Sequence, residues 1–231
     1  MVHIKMLFSP STVLQISSAS KRPWLHSIRH SSIRIGCASG YWGDTTQASS
    51  QLIHQGDVNF LVSDYLSEIT MSLMTAMKRK DPSAGYAPDF VKLAVGPQIK
   101  AIAKKGVKVL SNAGGTNPLA CAEALEQVAK KAGVNLNIAV VLGDDMMPMV
   151  KKQSLKPVKE MFDGDSLPQN VTSMNAYFGA EPIKVALDKG ADIVITGRCV
   201  DSALILAPLM HSFNWSIKDF DRYLILFHKY S

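Results

Sequence analysis

Asp64, Asn112, Arg198 and Asp201 are the residues of this sequence whose types and settings best suit chemistry. Each stands in a cluster of small and polar residues that follows a short apolar run. Asp64 and Glu68 would lie one helical turn apart if a helix began at Asp64. Two such carboxylates serve as acid and base, or hold a cation. The competing reading makes Asp64 an N-cap and Glu68 a charge that complements the helix dipole. Arg198 can grip a carboxylate or phosphate with its planar fork, or pair with Asp201 and brace its loop. Asn112 supplies an amide for orientation and charge stabilisation. Beside it, Gly114, Gly115, Thr116 and Asn117 lead into a helix expected to start at Pro118. Small residues let a ligand approach the backbone, and free first-turn N–H groups favour an anion such as a phosphate, a carboxylate or a thioester oxyanion. Read structurally, the same residues make a tight turn, with Asn117 as the cap and glycines at positive φ. Gly40 and Asp44 in an earlier cluster, and Asn175 in a later one, complete the expected substrate-binding set.

Other patterns lead less far. Gly36, Gly40 and Gly43 are spaced G-x-x-x-G-x-x-G, not the G-x-G-x-x-G of a dinucleotide site. Asp64 does lie where a ribose-binding acid would belong. Cys199 beside Arg198 has the setting of a lowered thiol pKa, but no histidine stands near it in sequence. Asp144-Asp145 could take a metal or a polar substrate, though adjacent loop acids are more often solvated. No Cys-x-x-Cys spacing occurs, and the single His-x-x-x-His, His26 to His30, stands within the first 32 residues apart from the clusters, so no metal set is expected.

These clusters need elements to hold them. Apolar runs at 33–35, 60–62, 107–110, 138–142 and 193–195 read as strands. Helices are predicted over 47–54, 66–80, from Pro88 to 105 with a break at Pro97, and over 117–131, 146–152, 181–189 and 203–213. On the second of these, Leu66, Ile69, Leu73, Met74 and Met77 have the spacing of one apolar face. Residues 172–177 read as either strand or loop. Strands alternating with helices predict βαβ units and an α/β fold: a Rossmann-like layered domain, its parallel sheet covered by helices on both faces. Loops after parallel strands leave one edge of the sheet. Asp44, Asp64, Asn112, Gly115, Asn175, Arg198 and Asp201 are therefore expected on that edge.

The chain has 231 residues and a net charge of +6. The first 43 residues hold no acid but carry Lys5, Lys21, Arg22, Arg29 and Arg34. Without these five, 20 basic residues face 19 acidic ones, a net of +1. The basic balance thus belongs to the arm, and nothing points to a nucleic-acid partner. Residues 1–32 are rich in Ser and poor in acids, the composition of a mitochondrial transit peptide. A structureless arm and a matrix location are the expectation. No apolar run approaches a membrane span. Three widely spaced cysteines give no disulfide framework.

Four segments together resemble one family. They are Gly36-Cys37-Ala38-Ser39-Gly40-Tyr41-Trp42-Gly43-Asp44, Asp64-Tyr65-Leu66-Ser67-Glu68-Ile69-Thr70-Met71, Ser111-Asn112-Ala113-Gly114-Gly115-Thr116-Asn117-Pro118 and Val194-Ile195-Thr196-Gly197-Arg198-Cys199-Val200-Asp201-Ser202-Ala203. In this order they are similar to the acyclic terpene utilisation family, AtuA, over residues 33–222. The resemblance implies a place in the breakdown of citronellol- and geraniol-type acids as CoA thioesters, alongside a biotin-dependent carboxylase. It implies a pathway rather than a reaction, and carries over no residue of assigned role. Residues 223–231 depart from the small-residue continuation such a domain would have. The expectation is a divergent tail on an incomplete domain.

The function expected is an enzyme, or enzyme subunit, acting on a branched or terpenoid acyl-CoA or its acid. Asp64, Asn112, Arg198 and Asp201 are its candidate catalytic residues. The CoA thioester would be the substrate rather than a resident cofactor. Two other classes stay open, a non-catalytic subunit that binds acyl-CoA or a carboxylase and a truncated form without function. Self-association into a homo-oligomer is also left open.

Overall fold

A computed structural model describes residues 32–152 and 159–222, with the backbone of 3–7. Six strands form one sheet: β1 (His3–Leu7), β2 (Ile35–Ser39), β3 (Phe60–Ser63), β4 (Lys108–Ser111), β5 (Ile138–Leu142) and β6 (Ile193–Thr196). Their spatial order is β1-β5-β6-β4-β3-β2. All neighbours from β5 to β2 are parallel; β1 alone runs antiparallel, against β5. The helices are α1 (Ala48–Gln55), α2 (Glu68–Lys80), α3 (Ile99–Lys105), α4 (Pro118–Ala132), α5 (Met147–Lys151), α6 (Glu181–Asp188) and α7 (Ala203–Phe213). Before α3 the chain winds through a π-helical stretch, Phe90–Val95, and a 3-10 turn, Gly96–Gln98. Pro97 marks that break, as its missing N–H predicts.

The inner parallel strands bury both faces, which is why they read as unbroken apolar runs, whereas the edge strand β2 leaves Cys37 exposed. Alternate residues serve opposite cores. Leu61, Val109, Ile138, Val140, Ile193 and Ile195 join the core beneath α1 to α4. Phe60, Val62, Leu110, Ala139, Val141 and Val194 join the one beneath α6 and α7. Helices on both faces of a parallel sheet agree with the expected α/β layering.

Three details differ from the sequence reading. The acid-free arm contributes β1, because the outer side of β5 offers unpaired N–H and C=O groups that a strand satisfies; residues 8–31 lie outside the described residues. The first parallel strand runs Ile35–Ser39 rather than 33–35. On α2 the face turned to the core carries Met71 and Met74, whereas Ile69 is 74% and Leu73 53% exposed. The expected face had been phased from Leu66, which precedes the helix. The helix is capped instead by Ser67, whose Oγ accepts from the Thr70 N–H while the Thr70 hydroxyl accepts from the Ser67 N–H. The segment 172–177 is loop apart from a single bridge between Asp145 and Asn175. The expected tail, 223–231, lies outside the described residues. Among the described residues no helix is long and apolar enough to cross a membrane.

Candidate functional site

The sheet reverses its winding between β4 and β6. The chain leaves β4 for α4 on one face and leaves β6 for α7 on the other, although the two strands are neighbours. Loops that part in this way open a crevice at the carboxyl ends of the strands. At its base they touch: a Cβ on Gly114 would stand 2.5 Å from the Thr196 carbonyl oxygen. Parallel pairing brings Asp44, Asp64, Asn112, Gly115, Arg198 and Asp201 to this edge, as expected. Asn175 joins them through Asp144 of the β5 loop.

Asn112 is fully buried and works as a clamp. Its Oδ1 accepts from the Tyr65 N–H at 2.7 Å, and its Nδ2 donates to Asp64 Oδ1 at 2.6 Å. Asp64 also accepts from the Leu66 N–H at 3.2 Å. Asp64 therefore does not cap α2; it ties the β3 loop to the β4 loop. Burial raises its pKa, against the lowering effect of Asn112 and Leu66.

Arg198 is 5% exposed. One guanidinium nitrogen donates to the Leu66 carbonyl; the other reaches Glu68 Oε1 at 3.3 Å. Asp201 Oδ1 lies 3.6 Å away. The ring of Tyr177 covers the guanidinium at 4.3 Å, and the Tyr177 hydroxyl donates to Glu68. Burial works against the charge of Arg198, yet Tyr177, Asp201 and Glu68 outweigh it and raise its pKa. The hydroxyl of Tyr177 lowers the pKa of Glu68. Tyr177 was not among the residues singled out from sequence. Only the return of the chain from β5 brings it over Arg198, and no local pattern announces that.

Asp144 was weighed in sequence as half of an exposed acidic pair. It is 4% exposed. Its Oδ2 accepts from the Arg198 N–H and from Asn175 Nδ2, both at 2.9 Å. Asp145 is exposed and accepts from the Met147 N–H, so the pair diverges. Burial raises the pKa of Asp144. Cys199 is fully buried, and burial pushes its thiol up to about 12. That removes the thiolate needed for nucleophilic attack at neutral pH.

The loop after β4 departs from the expected anion cradle. The N–H groups of Gly115, Thr116 and Asn117 donate to the carbonyls of Asn112, Gly85 and Gly114. Asn117 makes no side-chain cap of α4; its Nδ2 donates to the Pro82 and Ala84 carbonyls. The loop is thus packed onto residues 82–85. Gly40 and Asp44 bond to one another at the end of β2, the Gly40 N–H donating at 2.9 Å.

Beside this packed loop a cleft of about 710 Å³ runs from α2 to the β5 loop. Gly115, Thr116, Asn117 and Asn175 of the expected set line it, together with Asp144, Asp145, Lys78, Arg79 and Lys151. Asp64, Asn112, Arg198 and Asp201 do not; Arg198 meets the lining only through its N–H, which donates to Asp144. Lys78 and Arg79, in the last turn of α2, were not among the candidate residues of the sequence. Lys78 is half-buried, its Nζ on the Thr116 carbonyl at 2.5 Å. Arg79 and Lys151 form no ion pair with another described residue.

The raised pKa values of Asp64 and Asp144 make a pH prediction. A carboxyl whose folded pKa lies above its unfolded value holds its proton more tightly when folded. Its contribution is most favourable when protonated, and stability falls as pH rises through the window from the ordinary aspartate value to the raised one. Glu68, with a lowered pKa, stabilises above the ordinary glutamate value and loses this as pH falls. Urea unfolding across that range is expected to show a flatter pH dependence for Asp144→Asn than for the parent. Identical profiles would refute the assignment.

Fold and crevice define a doubly wound α/β protein with a candidate site at the switch point of the sheet. Residues 33–223 match the family model described as acyclic terpene utilisation family protein AtuA, and the chain belongs to that family. The family's name ties it to the utilisation of acyclic terpenes. Comparison with curated proteins and with solved structures gave no match.

Proposed function

We propose that this protein binds, and acts as an enzyme on, the CoA thioester of a branched or acyclic terpenoid acid. Family membership supports the terpenoid part of that reading. The observation that carries the thioester part is the basic wall of the cleft. Lys78, Arg79 and Lys151 come from two helices and face one space of about 710 Å³. A free terpenoid acid has one carboxylate to offer three cations. CoA has several phosphate charges, and lysine and arginine bind phosphate by charge and by forked hydrogen bonds. The buried carboxyl of Asp144 and the amide of Asn175 line the same cleft, where the acyl end would rest.

Calorimetric titration with a branched acyl-CoA and with its free acid tests this. The thioester is expected to bind more tightly, with an affinity that falls as salt is added. Lys78→Ala is expected to weaken it by about 1.5–3 kcal/mol, the scale of a lost charge-assisted hydrogen bond. Equal affinity for acid and thioester, or no effect of the variant, would sink the proposal. Turnover of an acyl-CoA panel then separates an enzyme from a binding subunit.

A further inference from the structure

We propose that Asp144 is the proton-transferring carboxyl of this cleft, and that its Oδ1 removes a proton from the carbon next to the bound thioester carbonyl. The inference rests on the acyl-CoA reading above. Its basis is the way the carboxyl is seated. Asp144 lines the cleft although only 4% of it is exposed. Its Oδ2 is held by two donors from two different segments, the Arg198 N–H and Asn175 Nδ2. The carboxyl lies against the bare Cα of Gly197, where a Cβ would stand 2.3 Å from Oδ2 and 2.6 Å from Oδ1. A side chain at that position would evict it. Oδ1 takes no hydrogen bond from another described side chain. The backbone N–H of Asp144 itself is a third donor to this carboxyl. With Oδ2 occupied by two N–H donors, a proton on this carboxyl sits on Oδ1.

A fixed carboxyl that lines a cleft and keeps one oxygen clear of neighbouring side chains is equipped for proton transfer. Among the described residues no cysteine or histidine lines the cleft, and Cys199 is buried. In the step proposed, a lone pair on Oδ1 forms an O–H bond as the C–H bond beside the carbonyl breaks. The C–H electron pair moves toward the carbonyl carbon, and the carbonyl π pair moves onto oxygen, giving a thioester enolate. Nothing is oxidised or reduced, and return of the proton restores the substrate. The raised pKa of Asp144 suits this role, since a stronger base takes the proton more readily. The charged groups around it are Asp145 on its own loop, Arg198 of the β6 loop, and Lys78, Arg79 and Lys151 along the cleft.

The test is deuterium exchange. The full chain is incubated with a saturated branched acyl-CoA in heavy water, and mass spectrometry follows deuterium entering beside the thioester carbonyl. Calorimetry with the same acyl-CoA runs in parallel. The parent is expected to bind and to exchange, with a rate that rises with pH to a plateau as one carboxyl ionises. Asp144→Asn keeps a side-chain oxygen for the two N–H donors. It is expected to melt and bind like the parent while exchange falls about 10²-fold or more. Should that variant misfold, Asp144→Glu keeps the charge but moves the oxygen by one bond, and exchange is again expected to fall. Binding without exchange in the parent, or undiminished exchange in a folded variant, overturns the role of Asp144 and leaves the binding reading standing. Absence of binding in the parent overturns both.

Discussion

Gly115→Ala is expected to destabilise this domain severely. Gly115 has φ +52, and a Cβ there would meet Met74 Sδ at 2.2 Å and the Gly85 carbonyl oxygen at 2.8 Å. Met74 is fully buried in the core beneath α2, and Gly85 O accepts two hydrogen bonds from Thr116. Neither neighbour can yield freely. The left-handed backbone costs an alanine about 1–2 kcal/mol, and overpacking adds about 1–3 kcal/mol. The sum, about 2–5 kcal/mol, is a large share of the stability of an ordinary domain. Gly133→Ala supplies the control. That glycine has φ +69 but open space around it, so only the backbone cost applies. Urea unfolding of both variants separates the two causes. Equal losses would show that Met74 and Gly85 accommodate the methyl group, and that Gly115 is needed for its backbone alone.

Arg198→Met should show the next largest loss. The substitution keeps an apolar stem and removes the guanidinium that spans three segments. The Leu66 carbonyl loses a charged donor, worth about 1.5–3 kcal/mol, and Tyr177 loses the cation it covers, worth about 0.5–1 kcal/mol or more. Glu68 and Asp201 contribute little, because their side chains are 78% and 67% exposed. A loss of about 2–4 kcal/mol is expected, a fall in melting temperature of about 5–15 °C for a domain of this size. Asp201→Ala is expected to change stability by no more than about 0.5 kcal/mol. If Arg198→Met melts with the parent, the bracing role fails and the fork is free for a ligand.

Both expectations choose between readings that stayed open in the sequence. Gly115 suited a cradle for an anion or a tight turn, and Arg198 suited a grip on an anion or a brace for its loop. A glycine before a helix has the same sequence appearance whether a phosphate or a methionine occupies the space beside it. An arginine beside an aspartate looks the same whether it is bracing or binding. Local residue types define the candidates, while the neighbours that decide between the readings come from elsewhere in the chain. Met74 is 41 positions from Gly115, and Leu66 is 132 from Arg198.

The strands, the helices and the shared edge of the loops were legible in the sequence because their causes are local. A strand buried on both faces must be apolar throughout. Proline and glycine punctuate helices through their own backbone limits. One physical rule, that parallel strands send their following loops to one edge, then carried Asp64, Asn112 and Arg198 to the same end of the molecule. The tertiary structure alone decided which loops touch and what each polar atom bonds to. It turned Asp64 and Asn112 into a clamp, laid Tyr177 on Arg198, and pointed α2 inward through Met71 and Met74. It set Asp144 against Gly197 and gathered Lys78, Arg79 and Lys151 about one cleft. Hydrogen bonds and close packing act over a few ångströms between residues far apart in sequence, and folding alone brings those residues within that range.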